Sequence, residues 1–258
     1  MAQQPTSSLN RFFCPALSSE QKSGDLIVID GQEAKHISKV MRLSVGDQLT
    51  VFGNVGFEIC GTISEIGNSR VEIQVSQVLA TNREPEIDLT IAAALPKGDR
   101  QKMLIEKLTE IGVARFIPLV SNRSVVKPGE QHVEKFRRYV IEASKQCRRN
   151  RLMVIDSPSR FEQCLEGNQH IETRLVLHPY LGDRADGEPL GNKPTGSDRF
   201  PLSSDAIVMV GPEGGFSDDE IALATTRQYV PFSLGPRILR IETAALVAAA
   251  IFTQANNS

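Results

Sequence analysis

Val208-Met209-Val210-Gly211-Pro212-Glu213-Gly214-Gly215-Phe216-Ser217-Asp218-Asp219-Glu220 is the stretch on which the fold turns. An apolar strand runs into a Gly/Pro turn, and Ser217 with Glu220 three residues later forms a capping box that starts a helix. Strand, glycine turn and helix in that order is the geometry with which parallel sheets bind ligands, at the carboxyl ends of their strands. No Gly-Lys-Ser/Thr follows and no GxGxxG is present, so neither a phosphate loop nor a dinucleotide fingerprint is indicated. A turn of purely structural purpose accounts for the spacing equally well.

Working outward, the same alternation continues on both sides. Ile87 to Leu95 is a mostly apolar run, and Asp99 precedes a helix with Leu104, Ile105, Leu108 and Ile111 on one face and Gly112 at its end. Further apolar runs at Phe116 to Val120, Leu152 to Ile155, Leu175 to Leu177 and Ala206 to Val210 are separated by helix-length segments. Continuous apolar strands alternating with helices predict an α/β domain with a mostly parallel sheet covered on both faces. After another short strand, Leu234-Gly235-Pro236-Arg237-Ile238-Leu239-Arg240-Ile241-Glu242-Thr243 leads into the apolar helix Ala244 to Phe252. An Arg240/Glu242 ion pair capping that helix is the structural reading of its two charges. The Gly-, Asp- and Pro-rich stretch 179–205 has no periodicity and reads as either a functional flap or, in preference, a tolerated insertion.

The first 80 or so residues follow a different pattern. Leu49/Val51, Phe57/Ile59/Gly61/Ile63 and Val71/Ile73/Val75 alternate with polar residues, with turns at Gly53-Asn54 and Gly67-Asn68. That period of two predicts half-buried strands closing into a small antiparallel barrel. Ala34 to Leu43 reads as a short basic helix with Ile37, Val40 and Met41 on its apolar face. The polar stretch Thr81 to Asp88 marks the boundary, giving domains 1–83 and 84–258.

At 258 residues, 40% apolar and 23% charged, the chain is neither disordered, collagenous nor coiled coil. No apolar run approaches the roughly 18 residues of a membrane span. Cys14, Cys60, Cys147 and Cys164 show no metal-ligand spacing, so no zinc site and a cytoplasmic location are expected. The net charge of −2 hides a local excess: seven Lys/Arg lie between Lys135 and Arg151 against Glu142 alone. Val133, Phe136, Val140, Ala143 and Cys147 form an apolar helical stripe, and Lys135, Arg138, Glu142, Lys145 and Arg149 the opposite one. A solvated helix face is the plain reading of those cations. The following Arg148-Arg149-Asn150-Arg151 favours contact with RNA phosphates.

GPEGGFSDDE together with LGPRILRIETAAL strongly resembles the carboxyl-terminal signature of the RsmE family, the 16S ribosomal RNA uridine-N3 methyltransferases of the SPOUT (α/β-knot) superfamily. Further blocks stand in the family's order: Arg11-Phe12-Phe13, His36 to Leu43, Pro96-Lys97-Gly98 through Glu106-Lys107 to Val113, and Glu142 to Arg151. The resemblance implies a PUA-like β-barrel followed by a SPOUT domain with a deep trefoil knot. It also implies S-adenosylmethionine as cofactor, 16S ribosomal RNA in the small ribosomal subunit as substrate, a homodimer, and neither metal nor membrane. Carried over, the cofactor site comprises Leu177, His178, Val210, Gly211, Pro212, Glu213, Gly214, Gly215, Leu234, Gly235, Ile238, Leu239, Arg240, Thr243 and Ala244.

The reaction so implied needs the N3 proton of uracil removed and the resulting anion stabilised. Arg240 suits the second task; Glu242 and Glu213 are the candidates for the base, and either alternatively orients Arg240 or caps the helix. RNA contacts are expected from Arg11, His36, Lys39, Arg42, Lys97, Arg123, Lys145, Arg148, Arg149 and Arg151. A noncatalytic RNA-binding module of ribosome assembly is the competing reading, since it needs the barrel and the basic helix but not three glycine-rich loops. A nucleotide-binding enzyme would explain Gly211 to Gly215, yet the lysine such sites use is missing.

Overall fold

The computed structural model describes residues 10–178 and 204–254, so the 179–205 stretch lies almost wholly outside the described residues. Two compact units make up the chain: residues 1–84 with 144–152, and residues 85–143 with 153–258. The first break falls between Glu84 and Pro85. The return of 144–152 to the first unit has no counterpart in the sequence pattern.

The first unit contains β1 (Arg11–Phe13), β2 (Leu26–Asp30), α1 (Gly31–Lys35), β3 (Gln48–Phe52), β4 (Glu58–Ile66) and β5 (Arg70–Leu79). They form one sheet in the order β1-β3-β4-β5-β2. Every pair is antiparallel except β1 with β3, which run parallel and depart from the all-antiparallel expectation. The alternating residues read from sequence, Leu49, Val51, Ile59, Ile63, Val71, Ile73 and Val75, all point into one core with Phe12, Ile27 and Ile29.

One element differs from its reading. The expected helix over 34–43 is α1 followed by a π turn at His36–Val40, closed by the Met41 amide donating to the His36 carbonyl at 2.9 Å. The wider turn leaves Ile37 buried but carries Val40 and Met41 into solvent, 67% and 39% exposed. Arg42 then takes φ +55, which ends the helix.

The second unit continues with β6 (Asp88–Ala94), α2 (Arg100–Ile111), β7 (Arg115–Val120), α3 (Glu130–Cys147), β8 (Val154–Ile155), β9 (Ser159–Arg160), α4 (Phe161–Gly167), β10 (Thr173–Leu177), β11 (Asp205–Val210), α5 (Asp218–Thr226), β12 (Val230–Phe232) and α6 (Ile241–Gln254). Its strands are all parallel, in the order β12-β10-β11-β6-β7-β8 with β9 also on β7. Ala92, Ile117, Val176, Ile207 and Met209 face one way and pack under α4 and α5. Phe116 faces the other way, edge-on to Phe136 of α3, and α6 covers β6 and β11 on its way past α2. The predicted sheet covered on both faces is therefore present.

Local signals set the helix ends. Gly112 stops α2 in the left-handed region at φ +104, where a Cβ would lie 2.5 Å from Cγ of Pro85. Asp99, by contrast, makes no side-chain cap for α2. At α5 the capping box is made in full: Ser217 Oγ accepts from the Glu220 amide at 3.2 Å, and Glu220 Oε2 accepts from the Ser217 amide at 2.8 Å.

Candidate active site

Strands β11, β10 and β12 lie side by side and all point the same way, so the loops leaving their carboxyl ends meet. They border a cleft that is open to solvent. Its wall is Leu177 and His178 after β10, Val210 to Glu213 with Gly215 after β11, and Phe232 to Gly235 with Arg237 to Leu239 after β12. Ile241 and Ala244, at the head of α6, complete it.

The glycines have separate tasks. A Cβ on Gly211 would stand 3.2 Å from the Phe216 ring, and Gly215 and Gly235 sit at φ +68 and +105. The chain can therefore turn sharply and present bare backbone to the cleft. Leu177, Leu234, Ile238 and Leu239 make the wall largely apolar, and Glu213 is its one carboxylate among the described residues. That donor set fits a ligand with a flat apolar portion and a positive charge.

Of the residues expected to bind cofactor, Gly214, Arg240 and Thr243 are not in the wall. Gly214 turns its carbonyl to Arg123, whose Nη1 donates to it at 2.8 Å. Arg240 and Thr243 are exposed beside the head of α6. Phe232, Ser233 and Ile241 line the cleft without having been singled out, and Arg237 lines it from within the Leu234 to Arg240 loop expected to hold the cofactor; Ile241 stands within the LGPRILRIE block that drew attention to that loop.

The acidic candidates separate sharply. Glu242 is buried, 3% exposed, outside the cleft wall, and its Oε1 accepts from Arg100 Nη1 at 3.2 Å. The anticipated Arg240/Glu242 pair is replaced by this one. A carboxylate so enclosed and so paired is not placed to take a proton from substrate. Glu213 is exposed in the wall, with Arg100 Nη2 3.8 Å from its Oε1. Arg100 was not singled out, although it stands inside the Pro96 to Val113 block that carries part of the resemblance.

Several cations expected on an RNA surface are instead interior to the first unit. Arg11 donates to Glu58 (3.2 Å), to the carbonyls of Ser144 (2.6 Å) and Arg149 (2.7 Å), and to Asn150 Oδ1, while its guanidinium lies 3.6 Å over the Phe52 ring. Burial pushes its pKa down to about 10 against the pull of Glu58, still far enough above neutrality to keep the charge. Arg149 is 4% exposed and grips Glu84 at 2.6 and 2.9 Å. Lys145 pairs with Glu33 at 2.9 Å. Arg11, Lys145 and Arg149 are thus corrected from RNA contacts to ties holding 144–152 against the sheet. Lys39, Arg42, Lys97, Arg123, Arg148 and Arg151 are exposed, and His36 is half-buried with its ring edge-on to Phe12.

Comparison with known proteins accords with this architecture. A family model described as RNA methyltransferase domain matches residues 82–253, and one described as RNA methyltransferase PUA domain matches 29–76. The Bacillus subtilis (strain 168) protein named Ribosomal RNA small subunit methyltransferase E is 33% identical over 244 residues, covering 93% of this chain and 94% of that one. A Legionella pneumophila protein solved in complex with the bound cofactor SAM superposes with a TM-score of 0.81 at 31% identity, over 96% of this chain and 98% of its own. The Neisseria gonorrhoeae Ribosomal RNA small subunit methyltransferase E, bound to S-adenosyl methionine, shares the fold at 23% identity, with a TM-score of 0.80 over 94% and 96% of the two chains. With a PUA-like sheet at the amino end, a parallel-sheet domain after it and this extent of likeness, the chain belongs to the ribosomal RNA small subunit methyltransferase E (RsmE) family of RNA methyltransferases.

Proposed function

We propose that this chain methylates N3 of a uridine in 16S ribosomal RNA within the small subunit, using S-adenosylmethionine held in the cleft after β10, β11 and β12. The observation that carries the reading is the convergence of three strand-end loops on one largely apolar cleft with a single wall carboxylate among the described residues. Bound there, S-adenosylmethionine supplies an electrophilic methyl group on a sulfonium. The residues of the chain have three tasks. The backbone of Gly211 to Gly215 and Leu234 to Leu239 fixes the direction from which a nitrogen approaches that methyl, which is where most of the rate arises. Arg240, exposed immediately before α6, stabilises the uracil anion through O2 or O4. Glu213 complements the positive charge of the sulfonium and is the carboxylate left to receive the N3 proton.

The RNA contacts in this reading are the exposed Lys39, Arg42, Arg148 and Arg151 with the half-buried His36 in the first unit, and the exposed Lys97 and Arg123 in the second. A uridine must be unstacked to be reached, which cationic contacts to its flanking phosphates assist. Two copies of the chain form the working unit: Met103 on α2 and Val247 and Ile251 on α6, helices that pack together, are 36%, 37% and 37% exposed and offer apolar area to a second copy. The free thiols, and the lack among the described residues of a helix able to cross a membrane, accord with work in the cytoplasm. The trefoil threading is proposed at the return of the chain from the edge strand β12 to the sheet centre as α6.

The test is methylation of small-subunit particles from a strain lacking the activity, followed by mapping of the modified nucleotide. One uridine bearing an N3 methyl is expected. Modification of a sugar or another base would overturn the assignment. Arg240→Ala is expected to lower the transfer rate by about 100-fold or more while donor affinity in a calorimetric titration stays within about threefold. Equal loss of donor binding would move Arg240 from catalysis to cofactor binding.

A further inference from the structure

Arg100, the first residue of α2, has no task in the account above. Its two terminal nitrogens serve two carboxylates: Nη1 lies 3.2 Å from Glu242 Oε1 and Nη2 3.8 Å from Glu213 Oε1. The two partners differ in kind. Glu242 sits in the first turn of α6 with its side chain 4% exposed, and its Oε2 has no hydrogen-bond partner among the described residues. Glu213 is 42% exposed and belongs to the cleft wall. A buried carboxylate is costly unless it is paired. Arg100 supplies that partner, and the amino end of α6 adds a favourable dipole.

We propose that Arg100 is a positioning residue of the methyl-donor cleft: anchored by Glu242, it holds the Glu213 carboxylate at the rim and so fixes the glycine loop after β11 against the head of α6. The inference rests on reading the cleft as the site of a sulfonium donor. A guanidinium is a planar fork able to serve two carboxylates at once, whereas an ammonium is a point charge on a flexible stem. Lysine at this position would keep a cation for Glu242 and lose the second branch. Because Glu213 is the one carboxylate in the wall among the described residues, its placement governs how well the cleft distinguishes the positively charged donor from S-adenosylhomocysteine, the product without the sulfonium charge.

The experiment compares the full chain with Arg100→Lys, Glu213→Gln and the double variant. Binding of S-adenosylmethionine and of S-adenosylhomocysteine is read by calorimetry, Tm by thermal unfolding, and KM and kcat by methyl transfer to small-subunit particles. Arg100→Lys is expected to weaken donor binding about 5- to 10-fold and product binding less than about twofold. The donor KM should rise by more than kcat falls. Glu213→Gln, which leaves the buried pair untouched, should shift the two affinities in the same way, with a larger fall in kcat because the proton acceptor is lost, and the double variant should bind the donor no worse than either single one, as two residues acting through one interaction require. Equal losses for donor and product, additive losses in the double variant, or losses that follow Tm would overturn the proposal. A wild-type chain that binds neither ligand would overturn the cleft reading, and the role of Arg100 with it.

Discussion

Arg11 shows what a single side chain can be asked to do. It satisfies Glu58 together with two backbone carbonyls from the 144–152 segment and the side chain of Asn150, and its own side chain is only 8% exposed. Removing it strands Glu58 with Arg83 alone, at 3.1 Å and more exposed to water. Arg11→Ala is therefore expected to lose about 3–5 kcal/mol of stability, measured by urea unfolding; a loss below about 1 kcal/mol would return Arg11 to the exposed class. The sequence made the cations of 135–151 easy to count and their fates impossible to see. Glu33 and Glu84, the carboxylates that take up Lys145 and Arg149, stand far upstream, Glu58 lies 47 residues beyond Arg11, and no spacing rule links residues so distant. Glu242 was misassigned for the same reason: its partner is Arg100, 142 residues away, rather than its neighbour Arg240.

Among the elements, legibility followed how local the cause was. The capping box of α5 was readable because both of its partners lie three residues apart. Glu220 does more than the pattern announces: its Oε1 also accepts from the Asn122 amide at 2.8 Å, tying the loop after β7 to the head of the helix. Ser217→Ala is expected to cost about 1 kcal/mol, seen as a fall in Tm of several degrees at most. A much larger fall would mean that the loop after β7 is released as well. The glycine stop at Gly112 was equally plain, although the close approach of Pro85 that also demands a glycine there was not. The π turn at His36–Val40 escaped because Ile37, Val40 and Met41 keep α-helical spacing, and only the hydrogen-bond pattern shows the turn widening.

At the scale of the molecule, the parallel sheet and its two covered faces were legible from apolar runs alone, while the strand order was not. Nothing in the composition of β10, β11 and β12 says that β12 lies outside β10. Twelve of the residues carried over by resemblance, from Leu177 to Ala244, line the cleft; the backbone path explains why the remaining three point elsewhere. For the RNA surface, Lys39→Ala with Arg42→Ala should weaken binding to small-subunit RNA and reduce the slope of log affinity against log salt by about 1 to 2. Arg149→Ala should lower stability with little effect on that slope, and the reverse pattern would mean that the buried and exposed cations have been exchanged. The membership of 144–152 in the first unit bears on how the protein is made. During synthesis the amino-terminal sheet leaves the exit tunnel with Glu84 unmatched and Arg11 lacking most of its acceptors, and it waits some sixty further residues for them. Its maturation is thereby timed by the growth of the downstream half, so a nascent chain halted before residue 144 would carry an unfinished module, prone to capture by chaperones.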